Sequence, residues 1–352
     1  MSRALIRGLA IVVLTSPALA VAADRPREAP RRLEALAVSP DGRLIAAGGK
    51  GRAVFLFDAR DGSLASTLEA PADVLALAFS PRPGDPRLAV GSEGDRLEIW
   101  ADKGEGFRVV ARRRTPGSPR ALAFSADGGL LAAGTQGAGN ILLIDPADAT
   151  LRRRLWEPSN GIEAIAFAPD GKTVYTAGQG LSAWSLDRFP IRPGEAERDD
   201  LTLDELRDRG SKAVRWTASG NWVVGVACTR DGSKIVGSGH LGPDDREEPK
   251  GLALFDPAGA RLRVLAEGPS QISSVAFSDD DRLVAAASED GMARVWDVAT
   301  GRPSRTLDAQ AGPAWAIGFL PGGHRLAVAT EDGAVRVWDA DLGRILVTAR
   351  RP

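Results

Sequence analysis

AFSADGGLLAAG (residues 123–134) is the stretch that decides the fold, because variants of it stand at six other places in the chain. The others are AVSPDGRLIAAG (37–48), AFSPRPGDPRLAVG (78–91), AFAPDGKTVYTAG (166–178), ACTRDGSKIVGSG (227–239), AFSDDDRLVAAAS (276–288) and GFLPGGHRLAVAT (318–330). Taking Val38, Phe79, Phe124, Phe167, Cys228, Phe277 and Phe319 as anchors, the spacings are 41, 45, 43, 61, 49 and 42 residues. They centre on the roughly 40–45-residue period of a propeller blade.

Within each copy the pattern is that of short antiparallel strands. Leu36 and Val38, then Leu44 and Ala46, alternate as the two-residue pleat requires. Asp41-Gly42, Asp127-Gly128, Asp170-Gly171 and Asp231-Gly232 supply the positive φ of a tight hairpin. A third strand follows in every unit: AVFLFD, RLEIWA, NILLID, LSAWSL, GLALFD, ARVWDV and VRVWDA. A weaker fourth reads as LASTL, FRVVA, LRRRLW and, at the end, RILVTA. Four strands, seven times, without a helical period, predict an all-β fold: a seven-bladed β-propeller of four-stranded antiparallel blades over residues 33–350.

Two third strands carry more. SEDGMARVWD (288–297) and TEDGAVRVWD (330–339) resemble the WD40-repeat signature, and weaker forms of the pattern extend the resemblance over about residues 33–349. The SPDG turn phrase is also common in TolB-like propellers, the nearby alternative. Elsewhere the Trp-Asp pair becomes Phe57-Asp58, Trp100-Ala101, Ile144-Asp145, Trp184-Ser185 and Phe255-Asp256. The family's Gly-His pair is missing, with Gly268 and Gln310 standing where its His would fall. The resemblance implies a His–Ser/Thr–Asp–Trp hydrogen-bond network. Here Ser288, Asp290 and Trp296, followed by Asp297, and likewise Thr330, Asp332 and Trp338, followed by Asp339, are left to keep three of its members. Stability should then rest on packing between sheets more than on buried polar networks. Because the chain starts on an innermost strand and ends on an outermost one, blades 1 and 7 are expected to meet through side chains alone.

The N-terminus reads as a targeting segment. Arg3 and Arg7 precede an apolar run, Gly8 to Leu14, and the following stretch, Thr15 to Ala20, ends in Ala18-Leu19-Ala20. This is a secretory signal within residues 1–23, cut after Ala20 or Ala23, with an uncleaved anchor as the alternative. The run is shorter than the roughly 20 residues that span a bilayer, so no stable membrane insertion is expected after cleavage. Residues 24–32 form a Pro- and Arg-rich linker. Export to a bacterial periplasm or beyond suits the single Cys228, read as a small buried strand residue. Lys and Arg (45) nearly balance Asp and Glu (46), which gives no footprint for nucleic acid.

Two stretches interrupt the period. Residues 187–211 form a charged insertion between the third and fourth strands of unit 4, where Thr202 and Glu205 make a capping-box pattern. Residues 239–251 extend unit 5; their acids lack the alternating spacing of a calcium loop. Chemistry is scarce. His240 and His324 are the only histidines, His324 reads as a solvent-facing turn residue, and no hydrolase, metalloprotease, phosphate-loop or dinucleotide motif occurs. Carboxylate runs such as Asp279-Asp280-Asp281 read as solvated turns. No catalytic residue, metal or cofactor is assigned.

Aligning the innermost strands places Glu34, Leu75, Arg120, Glu163, Val224, Ser273 and Trp315 at the channel mouth. Two positions earlier stand Arg32, Asp73, Ser118, Gly161, Trp222, Gln271 and Pro313. Trp222 and Trp315 are expected on the top face, with Arg120 and Glu163 beside them and Glu34 and Gln271 completing the set. Trp and Arg are the side chains that dominate interface hot spots. The sequence therefore predicts a non-catalytic scaffold for a protein or peptide partner, as a monomeric propeller or as a subunit of an envelope complex. The alternative is a periplasmic propeller hydrolase or lactonase using channel-mouth acids and a metal.

Overall fold

The computed structural model describes residues 32–82, 84–137, 139–157, 159–187, 214–215, 222–240, 250–268 and 270–352. The signal segment, nearly all of the linker and insertion, and residues 241–249 of the extension lie outside them. The described chain forms seven four-stranded antiparallel sheets, each from four consecutive strands. The blades span residues 33–69, 74–114, 119–156, 164–215, 223–267, 272–308 and 314–350. In blade 4 the third strand (Gly180–Ser185) is followed by a two-residue fourth, Val214–Arg215, with the inserted chain between.

The repeated turn phrase has a physical reason. In blade 1 the Ser39 hydroxyl donates to Asp41 Oδ1 at 2.6 Å and accepts the Leu44 N–H at 2.9 Å. The same pair of bonds joins Ser125, Asp127 and Leu130 in blade 3, Thr229, Asp231 and Lys234 in blade 5, and Ser278, Asp280 and Leu283 in blade 6. A Ser or Thr two residues before the Asp thus closes the hairpin from within. The following glycines, with φ from 65 to 73° at Gly42, Gly128, Gly171 and Gly232, take the left-handed position. In blade 6 Asp281 holds it instead, at φ 58°.

The core is divided into seven hydrophobic clusters, one per seam between neighbouring blades. Each blade's residue at the Trp position packs on the blade before it. Trp100 sits against Val54, Leu56 and Leu68 of blade 1, and Trp184 against Ile141 and Leu143 of blade 3. Second strands rich in Ala and Gly allow the approach: a Cβ on Gly48 would lie 2.7 Å from Val74 Cγ1. The ring closes by the same rule. Phe57, Phe55 and Ile45 of blade 1 pack on Ala327, Val335 and Val337 of blade 7, and the last sheet is built from the final four strands alone. Arg351 adds a hydrogen bond to the Lys50 carbonyl at 2.9 Å.

Polar networks are not absent, however. Glu157, in the connection entering blade 4, is 1 % exposed. It accepts from Thr176 Oγ1 at 2.8 Å and Ser182 Oγ at 3.0 Å, while Trp184 Nε1 donates to Thr176 Oγ1 at 3.0 Å. A carboxylate from the inter-blade linker here takes the part that the family resemblance gives to a His.

Candidate functional site

The first strand of every blade lines the central channel, which encloses about 200 Å³. Glu34, Leu75, Arg120, Glu163, Val224, Ser273 and Trp315, one from each blade, all border it. Their alignment holds because a period-2 strand returns one side chain per blade to the axis.

The ring is electrostatically differentiated. Arg120 Nη1 stands 3.5 Å from Glu163 Oε2, while Glu163 Oε1 and Ser273 Oγ are buried without a partner among the described residues. Burial raises the Glu163 carboxyl above its usual range, opposed by Arg120. On the other side Arg32 Nε donates to Glu34 Oε1 at 2.7 Å, and its guanidinium lies 4.7 Å from the Trp315 ring centroid. Trp315 Nε1 donates to Glu331 Oε2 at 2.6 Å. Trp315 is therefore half-buried and tied down across the seam of blades 1 and 7. Trp222, by contrast, stands 39 % exposed just before the first strand of blade 5 (Val223–Cys228). Gln271 Oε1 accepts from Lys250 Nζ at 3.1 Å, and the Gln271 carbonyl accepts from Ser288 Oγ at 3.2 Å.

The motif residues of the last two blades form a network that differs from the expected one. Thr330 Oγ1 donates to Asp332 Oδ1 at 2.6 Å, but Trp338 Nε1 is buried without a partner. Arg336, 8 % exposed at its side chain, donates to Thr330 Oγ1 and pairs with Asp332 at 2.7 Å. In blade 6 Arg294 pairs with Asp290 at 2.7 Å in the same way, and no described bond brings the Trp296 indole into it. An Arg two residues before the Trp thus pairs with the Asp in both blades, and in blade 7 it also donates to the Thr hydroxyl. Two hydrogen-bond donors converging on each Asp suffice, and the indole is left to apolar packing. Asp297 and Asp339, next to the indoles, accept backbone N–H groups of the following turn, from Thr300 at 2.7 Å and Leu342 at 2.9 Å.

On the opposite face the aspartate run is not merely solvated. Asp281 accepts the N–H groups of Arg230 at 2.7 Å and Asp231 at 3.0 Å from blade 5. Asp279 accepts that of Gly322 in blade 7 at 3.3 Å. His324, read from sequence as solvent-facing, has a side chain 16 % exposed between Asp341 (2.9 Å at Nδ1) and Asp280 (3.1 Å at Nε2). Only the imidazolium donates from both nitrogens. Burial alone would lower the His324 pKa, but Asp341 and Asp280 outweigh it and hold it above the ordinary value. A folded-state pKa above the unfolded one means the clasp stabilises fully below about pH 6.5 and is lost as pH rises through the raised value. His324→Asn is expected to cost about 1 kcal/mol at pH 6 and much less at pH 9. Thermal unfolding of both proteins at the two pH values checks this; an equal gap at each would refute the clasp.

Cys228 is half-buried in its strand, with burial pushing the thiol up to about 12, so it is unreactive. Among the described residues no three of His, Cys, Asp and Glu gather closely enough to hold a metal ion. No described helix is long and apolar enough to cross a membrane. The family model of the WD domain, G-beta repeat, matches residues 259–297 and 301–339, the last two third strands with the chain leading into each. Two matched repeats set within seven four-stranded blades support a WD40-repeat propeller.

Proposed function

We propose that this propeller is a non-catalytic scaffold that binds a protein or peptide partner through its top face, in the bacterial periplasm or beyond. WD40 propellers are generally protein-binding platforms, which supports the class of function. The observation that carries the face is Trp222: among the described residues it is the only exposed Trp, and it lies two residues before Val224, which borders the channel. An indole left in water is the type of anchor that an interface buries. Arg120 and Gln271 offer polar contacts on the flanking rim, whereas Trp315 and Glu34 serve mainly to hold blades 1 and 7 together at the top.

The proposed export rests on the N-terminal segment, with residues 1–23 removed and 24–32 a tether. Trp222→Ala is expected to weaken partner binding about 30-fold, the consequence of losing a hot spot worth roughly 2 kcal/mol. The measurement is capture of envelope proteins by the mature wild-type and variant, followed by titration of the recovered partner. Equal capture by both would remove the top face from consideration. Undiminished folding of the variant, read by its melting temperature, is expected because the indole is exposed.

A further inference from the structure

A second cavity, of about 560 Å³, lies away from the channel at the seam of blades 1 and 2. It is lined by Pro71 of the inter-blade connection, by Arg96, Glu98, Arg112 and Arg114 on the two outer strands of blade 2, Arg96–Asp102 and Phe107–Arg114, and by Leu97 and Arg113 between them. The register of those strands sets Arg96 directly opposite Arg114 and Glu98 opposite Arg112. Directly opposed residues share a sheet face, and so do residues two apart, so all four stand on one side. It is the side on which Trp100 packs against blade 1.

Two features of this group do nothing for the fold. Like charges directly opposite on paired strands are destabilising. Arg96 and Arg114 are exposed and have no acidic partner among the described residues. The acid next to Arg96, Asp95, instead accepts from Ser118 Oγ at 3.3 Å. The second feature is Glu98, whose side chain is only 7 % exposed. Its Oε1 accepts from Arg112 Nε at 2.8 Å, but its Oε2 is buried without a partner. A buried carboxylate oxygen lacking a donor is costly, and the cavity it lines is where a donor could come from.

Charge accounting defines what would satisfy both. Arg112 and Glu98 neutralise each other, and Arg113 stands on the opposite sheet face, where it donates to the Ala149 carbonyl at 3.4 Å. This leaves the two positive charges of Arg96 and Arg114, whose planar forks match phosphate oxygens. The free oxygen of Glu98 asks for a hydroxyl beside that anion. We infer that this seam cavity binds a phosphate monoester on a hydroxyl-bearing carrier, with the phosphate between Arg96 and Arg114 and a carrier hydroxyl donating to Glu98.

The test uses the mature full chain and isothermal titration with glycerol 1-phosphate, inorganic phosphate and glycerol. Glycerol 1-phosphate is expected to bind about tenfold more tightly than inorganic phosphate, and glycerol not at all. The double variant R96Q/R114Q should lose at least 30-fold in affinity for both phosphates. Without ligand it should melt no lower than the wild type, since it removes an opposed like-charged pair. Glu98→Gln should abolish the preference for glycerol 1-phosphate over inorganic phosphate. Phosphatidylcholine vesicles carrying lysophosphatidic acid, a phosphate monoester that keeps one glycerol hydroxyl, set against phosphatidylcholine alone, separate a lipid headgroup from a free phosphate: tight binding to the former with weak binding of the soluble ester assigns the lipid source. The inference is overturned if neither phosphate nor lysophosphatidic acid binds, or if the double variant binds as the wild type does.

Discussion

Glu157→Ala lowers the unfolding free energy by about 3–4 kcal/mol, the cost of breaking a buried, fully engaged polar network. The carboxylate is 1 % exposed and ties the linker to the second and third strands of blade 4. Its removal takes the acceptor from two buried hydroxyls, Thr176 and Ser182, while the indole N–H of the fully buried Trp184 keeps Thr176 Oγ1 as its acceptor. Glu157→Gln keeps the shape and one acceptor oxygen, and should cost only about 1 kcal/mol. Urea unfolding of the three proteins checks the ordering. A similar loss for Gln and Ala would mean that packing volume, rather than hydrogen bonding, is what the side chain supplies.

The second large effect falls on the ring's closing seam. Phe57 is 0 % exposed and packs in the cluster shared by blades 1 and 7. Phe57→Ala is expected to cost about 3–5 kcal/mol through lost burial and the cavity left behind. Phe255 holds the equivalent position in blade 5, where it packs on Tyr175 and Leu181 of blade 4. Phe255→Ala should cost about as much in equilibrium stability by the same reasoning. The two should differ in hydrogen exchange. At the closing seam the sheets on either side belong to opposite ends of the chain, so a weakened contact separates them without stretching any linker. Faster exchange confined to blades 1 and 7 in the Phe57 variant, and no such confinement in the Phe255 variant, is the expected pattern; identical patterns would show that the closing seam is mechanically like the rest.

What was legible in the sequence was local. The turn phrase encodes its own hydrogen bonds within six residues, as Ser39, Asp41 and Leu44 show, and its recurrence gives the blade count directly. The channel ring followed from counting back from each anchor along a period-2 strand. What escaped were contacts between segments far apart in the chain. His324 and Asp280 are 44 residues apart and meet only because neighbouring turns abut at a seam. The opposition of Arg96 and Arg114 depends on a register that contains a bulge between Ile99 and Trp100, which no composition rule locates. Glu157 looks in sequence like any linker acid. Only its position over the second strand of the following blade makes it a core residue.

Packing without strand exchange has one more implication. Lys50 donates its backbone N–H to the Arg32 carbonyl at 3.3 Å and accepts from the Arg351 side chain, so both ends of the described ring gather at one residue of blade 1. Every sheet is built from four consecutive strands, and the described junctions between blades are short. The circle therefore has no privileged beginning: joining those ends and cutting any other connection would yield the same seven sheets in a rotated order. Whole units could equally be copied or deleted in frame without splitting a sheet, which makes the blade a natural unit of inheritance as well as of structure.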